Sequence, residues 1–115
     1  GEVGVASREV AAAVLRSADR QEPFRISVIF RGYCLFRYVV DNAQREERYF
    51  HKGETLELEV TREARFWISN AGNLIARTGG AELDLGEPGE VSTRRIGWVS
   101  SNTDGRYDLV VAPMY

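Results

Sequence analysis

The side chains that could act as a nucleophile, a general base or a soft metal ligand are few. The chain has one histidine, His51, and one cysteine, Cys34, and this pair would suit a thiolate hydrolase. Cys34 lies in an apolar run over residues 33–36 that predicts a buried strand, where a thiolate is disfavoured. One imidazole and one thiol are too few for a zinc site with three or four nitrogen and sulfur ligands. We therefore expect no catalytic residue and no metal site.

Carboxylates two residues apart would lie on one face of a strand, as the paired carboxylates of a glycosidase do. Glu57 with Glu59 and Glu82 with Asp84 have this spacing. The residues between and beside them are apolar and would point to the opposite face, into a core. We interpret these carboxylates as a solvated surface.

Two glycine-rich segments, residues 79–80 and 86–89, invite comparison with phosphate-binding loops. A phosphate loop places its glycines between a strand and the N-terminus of a helix, and no helix is predicted after either segment. We interpret both segments as hairpin turns, and the sequence predicts no cofactor.

From Phe24 onward, apolar and polar residues alternate with the period of a β-strand. In the first such run, Phe24, Ile26, Val28 and Phe30 would share one buried face. The rest of the chain divides into short runs with turn-forming residues every ~8–12 positions, the spacing of a β-sandwich. The sequence therefore predicts a mainly β protein, an antiparallel Ig-like β-sandwich of about 7–8 strands over residues 24–115.

The N-terminal segment carries a different pattern. Residues 7–20 are rich in alanine and begin with Ser7, a favourable N-cap, and Pro23 forces an extended exit. We predict one amphipathic helix over residues 7–20 and assign residues 1–23 to an N-terminal helix and linker. The apolar face of this helix would consist of Val10, Ala11, Val14, Leu15 and Ala18.

The aromatic residues divide between the core and a candidate binding surface. Phe66 and Trp67 are neighbours on a predicted strand, so their side chains face opposite ways and only one of them can fill a given core. Trp67 and Trp98 are therefore our candidates for aromatic side chains that face a partner. We assign the core to Phe24, Phe30, Phe36, Phe50 and Phe66.

Composition and charge narrow the class of partner. The chain has 115 residues, 43% of them hydrophobic and 28% charged, which is typical of one globular domain. A formal net charge of −2 argues against nucleic-acid binding and against electrostatic docking on an anionic membrane. No stretch reaches the ~20 apolar residues of a membrane span, so we expect membrane attachment only through a segment beyond this sequence.

Several segments follow one another in an order known from a bacterial family. An opening strand precedes an aromatic-rich second strand that ends at Asp41. Asn-Ala-Gly at residues 70–72 comes straight after another aromatic-rich strand, and a Gly-Gly turn and Leu-Asp-Leu-Gly at residues 83–86 follow it. With these features, residues 24–99 resemble the C-terminal, extracytoplasmic domain of RodZ-like cell-shape proteins. The N-terminal segment and the last hairpin lie outside the resemblance.

The resemblance implies a specific role. RodZ-like proteins join a cytoplasmic helix-turn-helix domain, which binds an actin-like filament, to a single membrane span and this outer domain. Because the outer domain of the family has no known catalytic residues, the resemblance implies a non-enzymatic scaffolding module on the periplasmic face of the inner membrane. The expected partners are proteins of the cell-wall and cell-shape machinery, and a homodimer is compatible with this role.

Two other hypotheses stay open at this point. A stand-alone β-sandwich could bind carbohydrate or peptidoglycan through Trp67, Trp98 or nearby tyrosines, which requires aromatic rings exposed in a groove. A hydrolase built on Cys34 and His51 requires a thiol that reagents can reach.

Overall fold

The computed structural model describes residues 12–114, and these form a mainly β protein, as the sequence predicts. Ten strands belong to two antiparallel sheets. The strands are β1 (Ala13–Ala18), β2 (Phe24–Phe30), β3 (Cys34–Val40), β4 (Glu46–Phe50), β5 (Thr55–Val60), β6 (Glu63–Ile68), β7 (Leu74–Thr78), β8 (Ala81–Glu82), β9 (Ser92–Ser100) and β10 (Tyr107–Ala112). A 3-10 turn over Ala71–Asn73 precedes β7.

The strand order separates the two sheets clearly. The six-stranded sheet runs β1-β10-β9-β6-β3-β4, and the four-stranded sheet runs β5-β2-β7-β8. A two-residue turn at Gly79 and Gly80 joins β7 to β8, and both glycines have positive φ (55° and 86°), as a tight hairpin requires. The turn over residues 51–54 carries the chain from the six-stranded sheet to the four-stranded one.

The alternating apolar and polar residues of β2 form a strand with one buried face. Phe24, Ile26, Val28 and Phe30 are buried, and the residues between them are exposed or half-buried. These side chains join inward-facing residues of the six-stranded sheet in one core cluster, so both sheets bury a shared set of apolar groups. Removal of this apolar surface from water is the main favourable contribution to folding.

Aromatic rings connect the two sheets within this core. Phe30 of β2 stacks on Phe50 of β4 with ring centroids 4.0 Å apart, and it contacts Phe36 of β3 edge-on at 5.7 Å. Phe36 in turn contacts Phe66 of β6 at 4.9 Å. All five phenylalanines assigned to the core are buried, which confirms that assignment.

The helix predicted over residues 7–20 is wrong for the part of it that the structure describes; residues 7–11 lie outside the described residues. Residues 13–18 form β1, which pairs with β10 at the edge of the six-stranded sheet. The prediction relied on the helix preference of alanine and on the spacing of Val14, Leu15 and Ala18. Because β10 would otherwise leave a row of backbone N–H and C=O groups unpaired, hydrogen bonds to that edge outweigh a weak local preference.

The strand count also differs from the prediction of about 7–8. One additional strand is β1, which arises where a helix was expected. Leu83 and Leu85 are buried but lie after β8, where the regular pairing with β7 ends at Glu82.

Candidate functional site: an exposed sheet face around Trp67

The outer face of the six-stranded sheet carries the candidate site. The register sets Arg37 of β3, Trp67 of β6 and Thr93 of β9 side by side across three neighbouring strands. Phe66 and Ile68, which flank Trp67 in sequence, are buried in the core. The half-buried Trp67 therefore faces outward, as its place in the strand alternation predicted.

Trp67 forms one wall of a shallow groove, which we call the Trp67 groove. Its volume is about 210 Å³. Val91, which is 76% exposed, lies just before β9 and forms part of the rim. The groove is lined by Leu35, Arg37, Trp67, Ile68, Ser69, Val91, Ser92 and Thr93.

Both serine hydroxyls of the Trp67 groove already have hydrogen-bond partners. Ser69 Oγ accepts a hydrogen bond from the backbone N–H of Leu35 at 2.9 Å. The buried hydroxyl of Ser92 donates to the carbonyl oxygen of Leu85 at 2.5 Å. What the groove offers to a ligand is therefore mainly apolar surface, which suits an apolar side chain better than a hydroxyl-rich molecule.

The loop that presents Val91 is held in place by Asn70. The side-chain oxygen of Asn70 accepts hydrogen bonds from the backbone N–H groups of Gly72 and Gly89, both at 2.9 Å. Gly72 lies so close to this loop that a Cβ atom on it would be 2.8 Å from Pro88 Cα. The Asn-Ala-Gly motif thus has a structural explanation, because it fixes the segment that leads to the rim of the groove.

Guanidinium groups border Trp67 as well. Arg65 and Arg95, together with Trp67, line a second hollow on the same face, next to the end of the described chain. Both guanidinium groups pair with one carboxylate, that of Glu63, at 3.0 Å and 3.3 Å. Two positive charges share one negative charge, so this part of the face favours an anionic group on a ligand.

Arg37 supplies the charged wall of the Trp67 groove. Its Nε atom lies 3.0 Å from Oε1 of Glu47 on β4, but the N–H does not point at that oxygen, so the contact is electrostatic rather than a hydrogen bond. A partly exposed pair of this kind adds little to stability. The contact with Glu47 therefore does little to fix the Arg37 side chain.

An exposed aromatic cluster adjoins the groove at the edge strand β4. The rings of Tyr33 and Tyr49 stack with centroids 5.2 Å apart and planes 11° from parallel, and both side chains are more than half exposed. The ring of His51 lies 5.2 Å from that of Tyr33. Leu35 pairs with Tyr49 across β3 and β4, which makes this Tyr33–Tyr49–His51 cluster continuous with the Trp67 groove. Strand alternation around the buried Cys34 could have indicated that Tyr33 and Leu35 face outward.

Trp98, the other candidate for partner contact, is buried and has a role within the fold. It is 8% exposed, and its indole N–H donates to the carbonyl oxygen of Glu22 at 2.8 Å. The guanidinium of Arg16 lies over the ring, 5.4 Å from its centroid. Trp98 therefore offers a partner little surface, and it lies on the opposite face of the six-stranded sheet from Trp67.

Cys34 and His51 do not form a catalytic pair. Cys34 is buried, and its Sγ atom lies 3.8 Å from Ser69 Oγ and 3.9 Å from the carbonyl oxygen of Asn70. His51 is exposed and packs against Tyr33. The geometry gives the thiol neither an imidazole partner nor access to solvent.

The paired carboxylates of β5 take part in contacts along the strand surface. Glu59 accepts a hydrogen bond from Arg25 Nε at 2.7 Å, and Glu57 accepts one from the hydroxyl of Ser27 at 2.9 Å. Both carboxylates are exposed. This arrangement agrees with their interpretation as a solvated surface.

Three further observations describe the chemistry of residues 12–114. No group of three or more His, Cys, Asp or Glu side chains is placed to hold a metal ion within this range. Nor does any helix in it have the length and hydropathy that a membrane crossing demands. Burial, and secondarily the nearby charge of Glu46, raise the pKa of Tyr38 above its ordinary value of 10.0.

Comparison of the chain with protein-family models, with curated proteins and with solved structures finds no match.

Proposed function

We propose that this chain is a non-catalytic interaction domain that binds a protein partner through the Trp67 groove. The observation that carries the proposal is an apolar groove on an exposed sheet face, with an outward tryptophan on one wall and Val91 held at the rim by the Asn70 contacts. Aromatic side chains in apolar surroundings are enriched where proteins bind one another.

The chemistry around the groove favours a peptide segment with an apolar side chain next to an acidic one. The apolar side chain would enter between Leu35 and Trp67, and the carboxylate would meet Arg65 and Arg95, which have one carboxylate between them. A carboxylate in a bidentate contact with arginine also fixes the orientation of the bound segment.

We also propose that the domain belongs to the RodZ-like type, with an Ig-like sandwich architecture. One core cluster drawn from two antiparallel sheets supports the sandwich. The family resemblance of residues 24–99 supports the RodZ-like assignment. On this proposal the domain works at the periplasmic face of the inner membrane, where its partner is a protein of the wall-synthesis machinery.

A photo-crosslinking experiment in the source organism tests both proposals together. A photo-reactive amino acid at Val91 should give a discrete adduct with an extracytoplasmic protein of the wall-synthesis machinery. The same group at Glu57, on the exposed face of β5, should give none. Trp67→Ala should abolish the adduct because it removes one wall of the groove.

Val91→Asp provides a second variant, because this exposed side chain can change without disturbing the core. It should also abolish binding of the captured partner while leaving thermal stability unchanged. Equal adducts from positions 91 and 57 would contradict the groove as the binding site. An adduct formed only with cytoplasmic proteins would contradict the RodZ-like assignment and leave the groove standing.

A second candidate function is carbohydrate binding, and the exposed Tyr33–Tyr49–His51 cluster favours it. Sugars bind by laying an apolar ring face on an aromatic ring, and the two tyrosines offer such surface, whereas Trp98 does not. Titration with soluble peptidoglycan fragments, followed by NMR, should then shift resonances of Tyr33 and Tyr49. Tyr49→Ala should remove those shifts, and Val91→Asp should leave them unchanged.

A further inference from the structure

Strand β1 is attached to the sheet with little burial of its side chains. None of its six residues is buried, whereas every other described strand of five residues or more has at least one buried side chain. Leu15 and Ala18 only pack partly against the core, and Val14 is 57% exposed. The strand therefore depends mainly on backbone hydrogen bonds to β10.

The sequence of β1 does not favour the conformation that it adopts. Alanine is among the better helix formers and is depleted in strands, and residues 13–18 belong to the alanine-rich segment whose spacing predicts a helix. The pairing with β10 is also interrupted, because the register shifts between Val14 and Arg16. Once β1 separates from β10, the helix preference of its residues gives it little stability as an extended strand.

A few specific side-chain contacts bind this segment to the edge of β10. Ser17 donates a hydrogen bond to Asp108 Oδ1 at 2.5 Å, and Arg16 lies over the ring of Trp98. An exposed hinge over residues 19–23 follows, and its far end is fixed where Glu22 accepts the indole hydrogen bond of Trp98. A weakly buried strand, a short exposed hinge and a fixed anchor are the parts that strand exchange needs.

We propose that β1 is an exchangeable strand and that a second copy of this chain supplies its replacement on β10, so that two copies form a dimer by reciprocal exchange. The occupant is a second copy because residues 13–18 of another chain rebuild the same register, the Ser17–Asp108 hydrogen bond and the Arg16–Trp98 contact without loss. This interaction surface lies at the β1–β10 edge and does not depend on the function proposed for the Trp67 groove.

Disulfide trapping between different copies tests the exchange. One protein carries Ser17→Cys and the other carries Asp108→Cys, both with Cys34→Ser, since residues 17 and 108 are paired across β1 and β10. Mixed under mild oxidation, they should form a covalent heterodimer several-fold more than Ser17→Cys mixed with Glu57→Cys, an exposed position on the other sheet. Equal yields in the two mixtures would overturn the proposal.

Shortening the hinge gives an independent measurement on the chain with its native cysteine. Deletion of residues 19–21 leaves two of five hinge residues, and we expect this short hinge to prevent β1 from returning to β10 of its own chain. Sedimentation should therefore show a dimer for this variant at concentrations where the unaltered chain is mostly monomeric. A hinge-deleted chain that stays monomeric would refute exchange, even if the chain remained folded by circular dichroism.

Discussion

Asp41 shows how one side chain can join two turns of this protein. Its carboxylate accepts hydrogen bonds from the backbone N–H groups of Thr61, Arg62 and Glu63 at 2.7, 2.6 and 2.9 Å. Burial acts to raise the pKa of Asp41, but these hydrogen bonds outweigh burial and hold the pKa below its ordinary value of 3.8. The turn after β3 is thereby fixed to the turn before β6.

We predict that Asp41→Asn lowers the free energy of unfolding by about 1–2 kcal/mol at pH 7. Asparagine tolerates the positive φ of 52° at this position, so the backbone can stay as it is. The substitution removes the charge and one of the two acceptor oxygens, because Oδ1 and Oδ2 of Asp41 both accept backbone hydrogen bonds and an amide has only one acceptor oxygen. Because the folded pKa is depressed, the carboxylate stabilises the protein above the ordinary pKa, and this stabilisation is lost as the pH falls through the folded value. Urea unfolding of both proteins between pH 7 and pH 2 should therefore show the difference shrinking below about pH 4.

Asp104→Asn is the control for this experiment, because Asp104 is exposed in the turn between β9 and β10. It should leave the unfolding free energy nearly unchanged. A pH-independent penalty for Asp41→Asn would mean that hydrogen-bond geometry matters at this position and charge does not.

Cys34 gives a second prediction for a single residue. The thiol is buried beneath β3, with Ser69 Oγ and the carbonyl oxygen of Asn70 nearby, so reagents reach it only when the structure opens. A thiol reagent should react with native protein at the rate of opening and with unfolded protein immediately. Rapid stoichiometric labelling of the native protein would revive the Cys34–His51 hydrolase hypothesis.

Among the elements, β9 approaches the start of β6 closely at Gly97, a position without a side chain. A Cβ atom on Gly97 would lie 3.0 Å from the carbonyl oxygen of Arg62 and 3.3 Å from Glu63 Cβ. The neighbouring atom is backbone in the turn that Asp41 holds, so it cannot move aside easily.

Gly97→Ala should consequently lower the unfolding free energy by about 1–3 kcal/mol, the usual cost of overpacking. In a double-mutant cycle, Gly97→Ala should lower the unfolding free energy less in the Asp41→Asn background than in the unaltered protein. The reason is that loosening the turn lets the carbonyl of Arg62 withdraw. Additive effects would show that the turn stays rigid without the carboxylate, and a stabilising Gly97→Ala would contradict the close approach itself.

At the scale of the whole molecule, the stacked and edge-on phenylalanines couple the two sheets. Phe30 belongs to the four-stranded sheet, whereas Phe50 and Phe36, which it contacts, belong to the six-stranded one. Neither sheet can open on its own without exposing part of this cluster. The protein should therefore unfold in one cooperative transition.

Phe30→Ala should lower the unfolding free energy by about 3–5 kcal/mol, since it removes a fully buried ring from this cluster. The neighbouring Ile29 is 43% exposed and gives the matched control, so Ile29→Ala should cost less than about 1 kcal/mol. Urea unfolding followed by circular dichroism and by tryptophan fluorescence measures both changes. Two separate transitions in the unaltered protein would contradict the coupling of the sheets.

The sequence alone determined the β class and most of the core, for a local reason. Alternation along β2 or β6 sorts side chains onto two faces whatever the strands pair with, so the buried Phe30 and Phe66 and the outward Trp67 could be predicted. The turn glycines likewise act within two or three residues. These properties need no knowledge of distant parts of the chain.

Only the tertiary structure determined that residues 13–18 form a strand, that Trp98 is buried, and that the Trp67 groove exists. Residues 13–18 become a strand because β10 lies beside them, and β10 is more than 80 positions away in the sequence. Trp98 is buried against the carbonyl of Glu22, and Leu35, Trp67 and Val91 meet only after three separate segments have assembled. Contacts between distant segments depend on the order of strands in a sheet, which the period of a single strand does not encode.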